Sequence, residues 1–253
     1  MLEAEIIARF LNVNRALLNQ VDCTMSGSTC TLALVLPDGS GNKTMVFANL
    51  GDSRAVIGAR RSENSPLVSI DATIDHKPGI PAERKRITDS GGWVGVIDQM
   101  QKRIMLLEDS VDEGYDGQNI HFNAEFIDSD SNPSFAYHND ILRKTARVFI
   151  PGSNLPGLAV SRSFGDEAVG HLGVTSSPEV TFLSCSPAHK FIILATDGLW
   201  EVLTSQESVE IVGQHADADG GARALLDVAS HRWQNRPPYV YRDDITVMIV
   251  QLP

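Results

Sequence analysis

The segment FIILATDGLWEVL, residues 191 to 203, constrains the fold of this chain more than any other stretch. Five apolar residues run unbroken into Thr196-Asp197-Gly198, and the chain resumes with Leu199-Trp200, Glu201 and Val202-Leu203. An apolar run of this length without alternation belongs to a strand covered on both faces. Covering both faces takes layers of other elements, so a lone two-sided sheet is excluded. Asp197, at the end of such a strand, is delivered to the rim of the core.

The rest of the composition permits that architecture. The chain has 253 residues, 42% of them hydrophobic, enough for one large domain or two small ones. A net charge of −11 argues against a general nucleic-acid binder, because phosphate backbones require a basic surface. Three cysteines, Cys23, Cys30 and Cys185, are an odd number without CxxC spacing. They fit a reduced intracellular protein, cytoplasmic or nuclear, with no disulfide framework or zinc site. No apolar run reaches the length of a membrane span, and the amino terminus lacks the pattern of a signal peptide. The expectation is a monomer that contacts neither nucleic acid nor membrane.

Leu2, Ile6, Phe10, Val13 and Leu17 recur at helical spacing, which predicts an amphipathic helix over residues 2 to 18. STCTLALVL (28–36), TMVFANL (44–50) and RAVIGAR (54–60) read as a meander of three antiparallel strands. Pro81 opens a charged helix that Gly91-Gly92 ends. Further strands are expected at ARVFIPG, EVTFLSC, KFIILAT and ITVMIVQL. The tetrapeptide TSQE (204–207) is a capping box that starts a helix toward His215, and residues 221 to 233 form another amphipathic helix. Strands and helices come in blocks, which points to α+β layers with mostly antiparallel sheets. Residues 97 to 146 differ, with ten acidic residues against four basic ones. They read as an acidic insertion on the surface of a domain spanning 1–253.

Asp197 follows a core-type strand and Asp243 precedes one, so the two can meet at one rim although 46 residues separate them. Carboxylates without His or Cys partners favour hard cations such as Mg²⁺ or Mn²⁺. Gly198 leaves room for backbone and water beside such an ion. The competing reading is that each Asp caps a helix or a turn, and a TDG tripeptide also occurs in unrelated phosphate-handling folds.

A series of segments decides more than spacing does. SGSTC (26–30), ANLGDSRAV (48–56), DHKP (75–78), ERKRITDSGGWV (83–94), GLAVSRSFGD (157–166), SSPEV (176–180), FIILATDGLWEVL (191–203) and RDDITVMIV (242–250) occur in that order. In this the chain resembles the metal-dependent protein serine/threonine phosphatases, the phosphatase 2C family. The resemblance implies two stacked antiparallel β-sheets flanked by helices, with metal ions in a cleft at one end. It implies hydrolysis of phosphoserine or phosphothreonine in a phosphorylated protein by a metal-activated water at a two-metal centre. Asp197 and Asp243 fall where the family has metal-coordinating aspartates, and Asp75 falls where some members bind an additional, looser ion. Glu201 occupies a position where an Asp is common and reaches that ion through water. No residue of this chain is assigned as a covalent or acid–base catalyst.

In the family, a strand reading roughly F-x-G-V-[FY]-D-G-H-G-G precedes the first helix, and this chain contains no such segment. The expectation is a domain lacking its first strands and part of its metal site. Either those strands lie upstream, or the chain is a catalytically inactive, phosphatase-like scaffold or binding module.

Elsewhere, Asp52 and Arg54 are expected to lock the turn between their strands as a pair. Arg162 and Asp166 are assigned to fold maintenance, Trp200 and Trp233 to the core, and His76 to an exposed turn. The 97–146 insertion either tunes the choice of partner, its charge favouring basic flanks around a phosphosite, or is a solvated loop.

Overall fold

A computed structural model of the protein describes residues 1–37, 41–62, 65–98, 103–107, 145–235 and 242–252. Most of the acidic insertion, residues 108–144, lies outside the described residues, as does any role for it. The chain begins with α1 (Leu2–Gln20), β1 (Gly27–Ser28), β2 (Cys30–Pro37), β3 (Lys43–Leu50), β4 (Arg54–Ala59) and β5 (Val68–Asp71). It continues with α2 (Pro81–Asp89), β6 (Trp93–Asp98), β7 (Arg103–Leu106), β8 (Arg147–Phe149), β9 (Pro156–Leu158), β10 (Phe164–Gly165) and α3 (Glu167–Gly170). It ends with β11 (Glu179–Ser184), β12 (His189–Ala195), α4 (Asp197–Trp200), α5 (Ser205–Gly213), α6 (Ala218–Gln234) and β13 (Val247–Gln251). All strand pairs are antiparallel, as the block order of the sequence requires.

The described residues gather into two compact units. The first comprises Met1–Ile7, Cys30–Asp75 and Pro178–Pro253. It holds two sheets, ordered β11-β3-β2 and β13-β12-β4-β5. Met45 and Phe47 of β3 share a fully buried cluster with Ala55 and Ile57 of β4 and Ile192 of β12, so the sheets stack face to face. The outer face of β12 packs on the helices. Phe191, Ile193 and Ala195 meet Leu199, Trp200, Val209, Val212, Leu225 and Ala229. This is why FIILA has no polar member.

The predicted meander does not form. β2 and β3 pair along their whole length, but β4 lies in the other sheet, against β12 and β5. β3 is buried from Met45 to Leu50 and β4 from Ala55 to Ala59, so both need covering on two faces. Gly51, with φ of 104°, Asp52 and Ser53 therefore carry the chain from one layer to the next instead of reversing it in the plane. Among the described residues β2 and β13 each have one strand partner only, and Met248 (60% exposed) and Val250 (37%) project from β13 uncovered.

The second unit comprises Ala8–Thr29 and His76–Ser177. Its main sheet, β7-β6-β8-β9, packs Val94, Val96 and Val148 against Ile87 of α2 and Val169 of α3. At its centre the carboxylate of Glu83, 4% exposed, accepts hydrogen bonds from Arg86 at 2.8 Å, from Arg162 at 2.7 Å and from the Ser161 hydroxyl. Arg86 also donates to the carbonyls of Gly173 and Ser161, both at 2.9 Å. Arg162 is thus a structural residue. Asp166, at φ 48°, accepts from the Ser163 hydroxyl at 2.6 Å beside the paired strands β1 and β10. His76 is 2% exposed rather than surface-lying; its carbonyl accepts the Ser161 amide at 2.9 Å, which ties the turn to the interior.

Candidate active site

In the first unit, β12 ends at Ala195, paired with Val247, the first residue of β13. Antiparallel pairing therefore brings the residues after β12 beside those before β13, and the side chain of Thr196 fastens them. The Thr196 amide donates to the Thr246 carbonyl at 3.1 Å, and its hydroxyl receives the Thr246 amide at 3.0 Å and donates to the Asp244 carbonyl at 3.2 Å. Thr196 is also the residue before α4, in extended conformation with ψ of 166°. Asp197 opens that short helix, half-buried, where a carboxylate suits the helix N-terminus.

Gly198 makes the approach possible. A Cβ built on it would sit 2.3 Å from the Asp244 carbonyl oxygen, a distance no side chain tolerates. Asp197 and Asp243 each flank that contact by one residue. Asp243 is half-buried, and its Oδ1 accepts the Asp244 amide at 2.8 Å. Two indole N–H groups hold the same corner, Trp200 donating to the Ala195 carbonyl at 2.8 Å and Trp233 to the Gly198 carbonyl at 2.6 Å.

Asp75 is engaged differently. Arg54, at the start of β4, grips both its oxygens at 2.8 Å. The guanidinium also lies 5.2 Å from the Trp200 ring centre and donates to the Ser205 hydroxyl at 3.2 Å, which in turn donates to Asp71 at 2.6 Å. Burial opposes the charge on Arg54, but Asp75 and Asp71 outweigh it and raise its pKa. Arg54 thus forms a pair with Asp75 that spans 21 residues. Glu201 is exposed at the end of α4, and its amide bonds to the Asp197 carbonyl at 2.8 Å.

The arrangement sets the backbone of Gly198 against that of Asp244, so that Asp197 and Asp243 each stand one residue from the contact, and Arg54, which grips Asp75, lies over Trp200 of the same corner. Carboxylate oxygens at that point suit Mg²⁺ or Mn²⁺ in kind. They do not suffice in number, because among the described residues no group of three or more His, Cys, Asp or Glu is arranged to hold a metal ion. Sequence reasoning missed Arg54 as the residue that organises this corner. The only signal was its place after GDS at the opening of a core strand.

Comparison with known proteins bears on what the corner does. The family model described as protein phosphatase 2C matches residues 1–234. Probable protein phosphatase 2C 64 of Oryza sativa subsp. japonica is 31% identical over 232 residues, covering 92% of this chain and 43% of that protein. Probable protein phosphatase 2C 18 of Arabidopsis thaliana is 32% identical over 232 residues, covering 92% of this chain and 36% of that protein. The chain thus spans less than half the length of these curated relatives. The crystal structure of a serine-threonine phosphatase 2C from Toxoplasma gondii shares the fold, with a TM-score of 0.68 at 24% identity, covering 99% of this chain and 67% of that one.

Proposed function

The chain belongs to the protein phosphatase 2C family, and from this premise we propose that it supplies part of a domain hydrolysing phosphoserine and phosphothreonine in phosphorylated proteins. Asp197 and Asp243 hold a divalent cation, Mg²⁺ or Mn²⁺, at the shared rim of β12 and β13. Further ligands to a two-metal centre come from outside the described residues. When bound, such ions activate a water and neutralise the phosphoryl oxygens. This chain's own contribution is positional: Gly198 admits the Asp244 backbone, and Thr196, Trp200 and Trp233 hold the backbone that carries both carboxylates. Asp75, held by Arg54, and Glu201 would serve a third, looser ion.

The observation that carries this reading is the Gly198–Asp244 contact, which has no purpose in a simple helix cap. A second reading, a catalytically silent binding module, is favoured by the incomplete ligand set and by the Arg54 grip on Asp75.

The two are separated by following hydrolysis of p-nitrophenyl phosphate and a phosphothreonine peptide by the intact protein, alongside calorimetric titration with Mn²⁺. The enzyme reading expects turnover that needs Mn²⁺, stops in EDTA and falls about a hundredfold or more in Asp197→Ala. Turnover that persists in EDTA overturns the metal mechanism. A folded protein that binds Mn²⁺ without turnover establishes the binding module.

A further inference from the structure

At the opposite end of the same sheet the chemistry is reversed. β4 and β12 run antiparallel from the carboxylate rim to Ala59 and His189, about 20 Å away at roughly 3.3 Å per residue. There the Arg60 amide bonds to the Ala188 carbonyl at 2.7 Å, and the Lys190 ammonium donates to the Pro187 carbonyl at 2.7 Å. The loops so joined enclose a pocket of about 400 Å³ lined by Arg60, Arg61, Ser62, Pro187, Ala188 and Lys190. Among the described residues, none that line it is acidic.

A second, narrower pocket of about 180 Å³ shares Arg60 and Lys190 with the first. Its walls are Leu67, Phe191, Val212 and Ile249, leaving room for a single side chain. Asp217, the one carboxylate among its described lining residues, accepts the Gly220 amide at 2.7 Å as the cap of α6. A cationic pocket thus adjoins an apolar slot in a protein of net charge −11. The overall field repels an acidic ligand from most of the surface and leaves this patch as a place to receive one.

We propose that this groove docks an acidic segment of a protein partner, carboxylates in the Arg60, Arg61 and Lys190 pocket and one large apolar side chain in the slot between Leu67 and Phe191. Charge complementarity and the adjoining apolar slot together choose a peptide over a small anion, which would use the cations and leave the slot empty. The partner is the phosphoprotein substrate, a step that rests on the phosphatase reading; the peptide binding itself does not. Docking about 20 Å from the carboxylate rim at strand spacing lets one substrate be held at two points, raising the local concentration of its phosphosite.

The test is fluorescence anisotropy of a labelled peptide carrying acidic residues on both sides of a single Phe, titrated with the intact protein at low salt. Saturable binding is expected, weakened about tenfold by Arg61→Glu combined with Lys190→Glu and by raising salt to about 0.5 M. Replacing the peptide's Phe by Ser is expected to cost about tenfold as well. Equal binding of a neutral Phe peptide, indifference to the charge reversal, or capture of pyrophosphate but not peptide overturns the proposal. Turnover of p-nitrophenyl phosphate on the same samples reports on the phosphatase reading alone, so failure of one is told apart from failure of the other.

Discussion

Glu83 and Asp243 are both carboxylates withdrawn from full solvent, and the protein treats them in opposite ways. Glu83 is nearly inaccessible and is met by two guanidinium groups and a hydroxyl. Burial alone would raise its pKa, but Arg162, Arg86 and Ser161 hold it far below the usual carboxylate range. Asp243 sits half-buried at a strand entrance and accepts a single backbone amide. The lesson is that burial of a carboxylate does not mark a reactive site. Saturation with fixed cations marks structure, whereas under the proposed function a carboxylate left at the rim of a core sheet is the one a metal recruits.

The sharpest way to break this comparison is Glu83→Ala. Arg86 and Arg162, with side chains 30% and 17% exposed, would each lose a partner in a confined place. Removing one member of such a buried network costs about 3–5 kcal/mol. Urea unfolding of the intact protein checks it, and a change below about 1 kcal/mol would show that the network is dispensable.

Gly198→Ala comes next. The added Cβ meets a backbone carbonyl at 2.3 Å, which cannot swing aside as a side-chain end can, so the segment before β13 must move. The expected loss is about 1–3 kcal/mol of stability, together with weaker Mn²⁺ binding, since the two carboxylates separate. Loss of stability with unchanged Mn²⁺ affinity would detach Gly198 from the site.

How much of this was legible follows the range of the forces involved. The TSQE capping box forms as read, with the Thr204 side chain on the Glu207 amide and the Glu207 side chain on the Thr204 amide. FIILA is the doubly covered strand and α6 follows its apolar spacing, while α1 forms as a helix but buries only Ile6 and Phe10 of its predicted face, with Leu2 and Val13 exposed. All of these are written in residues a few positions apart. The meander failed because neighbouring apolar strands look alike whether they pair edge to edge or stack face to face. The Arg54–Asp75 pair went unread because the fold alone brings those two residues together. His76 was misplaced for a related reason: Pro78-Gly79 signals a turn and says nothing about what covers it. The groove at Arg60 and Lys190 draws on loops more than a hundred residues apart and left no local trace.

Glu207 lies between the two extremes and gives a smaller effect. The Arg232 guanidinium at 2.7 Å, with the Thr204 amide, lowers its pKa to about 2 from 4.5. A depressed acid contributes stability above its unfolded pKa, and that stability is lost as pH falls through the folded value. The window is therefore about pH 4.5 down to 2, and with side chains 40% exposed the screened contribution is about 1 kcal/mol. Glu207→Gln is expected to flatten the acid limb of the stability–pH curve in that window and to leave stability above pH 6 lower by a similar amount. An identical acid limb in the two proteins would mean that the pair titrates as it does in the unfolded chain.

Asp243→Asn carries the comparison to its other end. The amide keeps the shape and an oxygen for the Asp244 N–H, so the hydrogen bond at 2.8 Å survives and stability is expected to change by less than about 0.5 kcal/mol. Under the proposed function the two carboxylates share one ion, and removing a like charge from that site pushes the same way. A small gain in thermal stability without metal, with Mn²⁺ no longer stabilising the protein, is the signature of a residue placed for binding at some expense to the fold. If the variant instead lost several kcal/mol and Mn²⁺ still raised its melting temperature, Asp243 would belong with Glu83 as a structural carboxylate, and the distinction between saturated and recruitable acids would not hold in this protein.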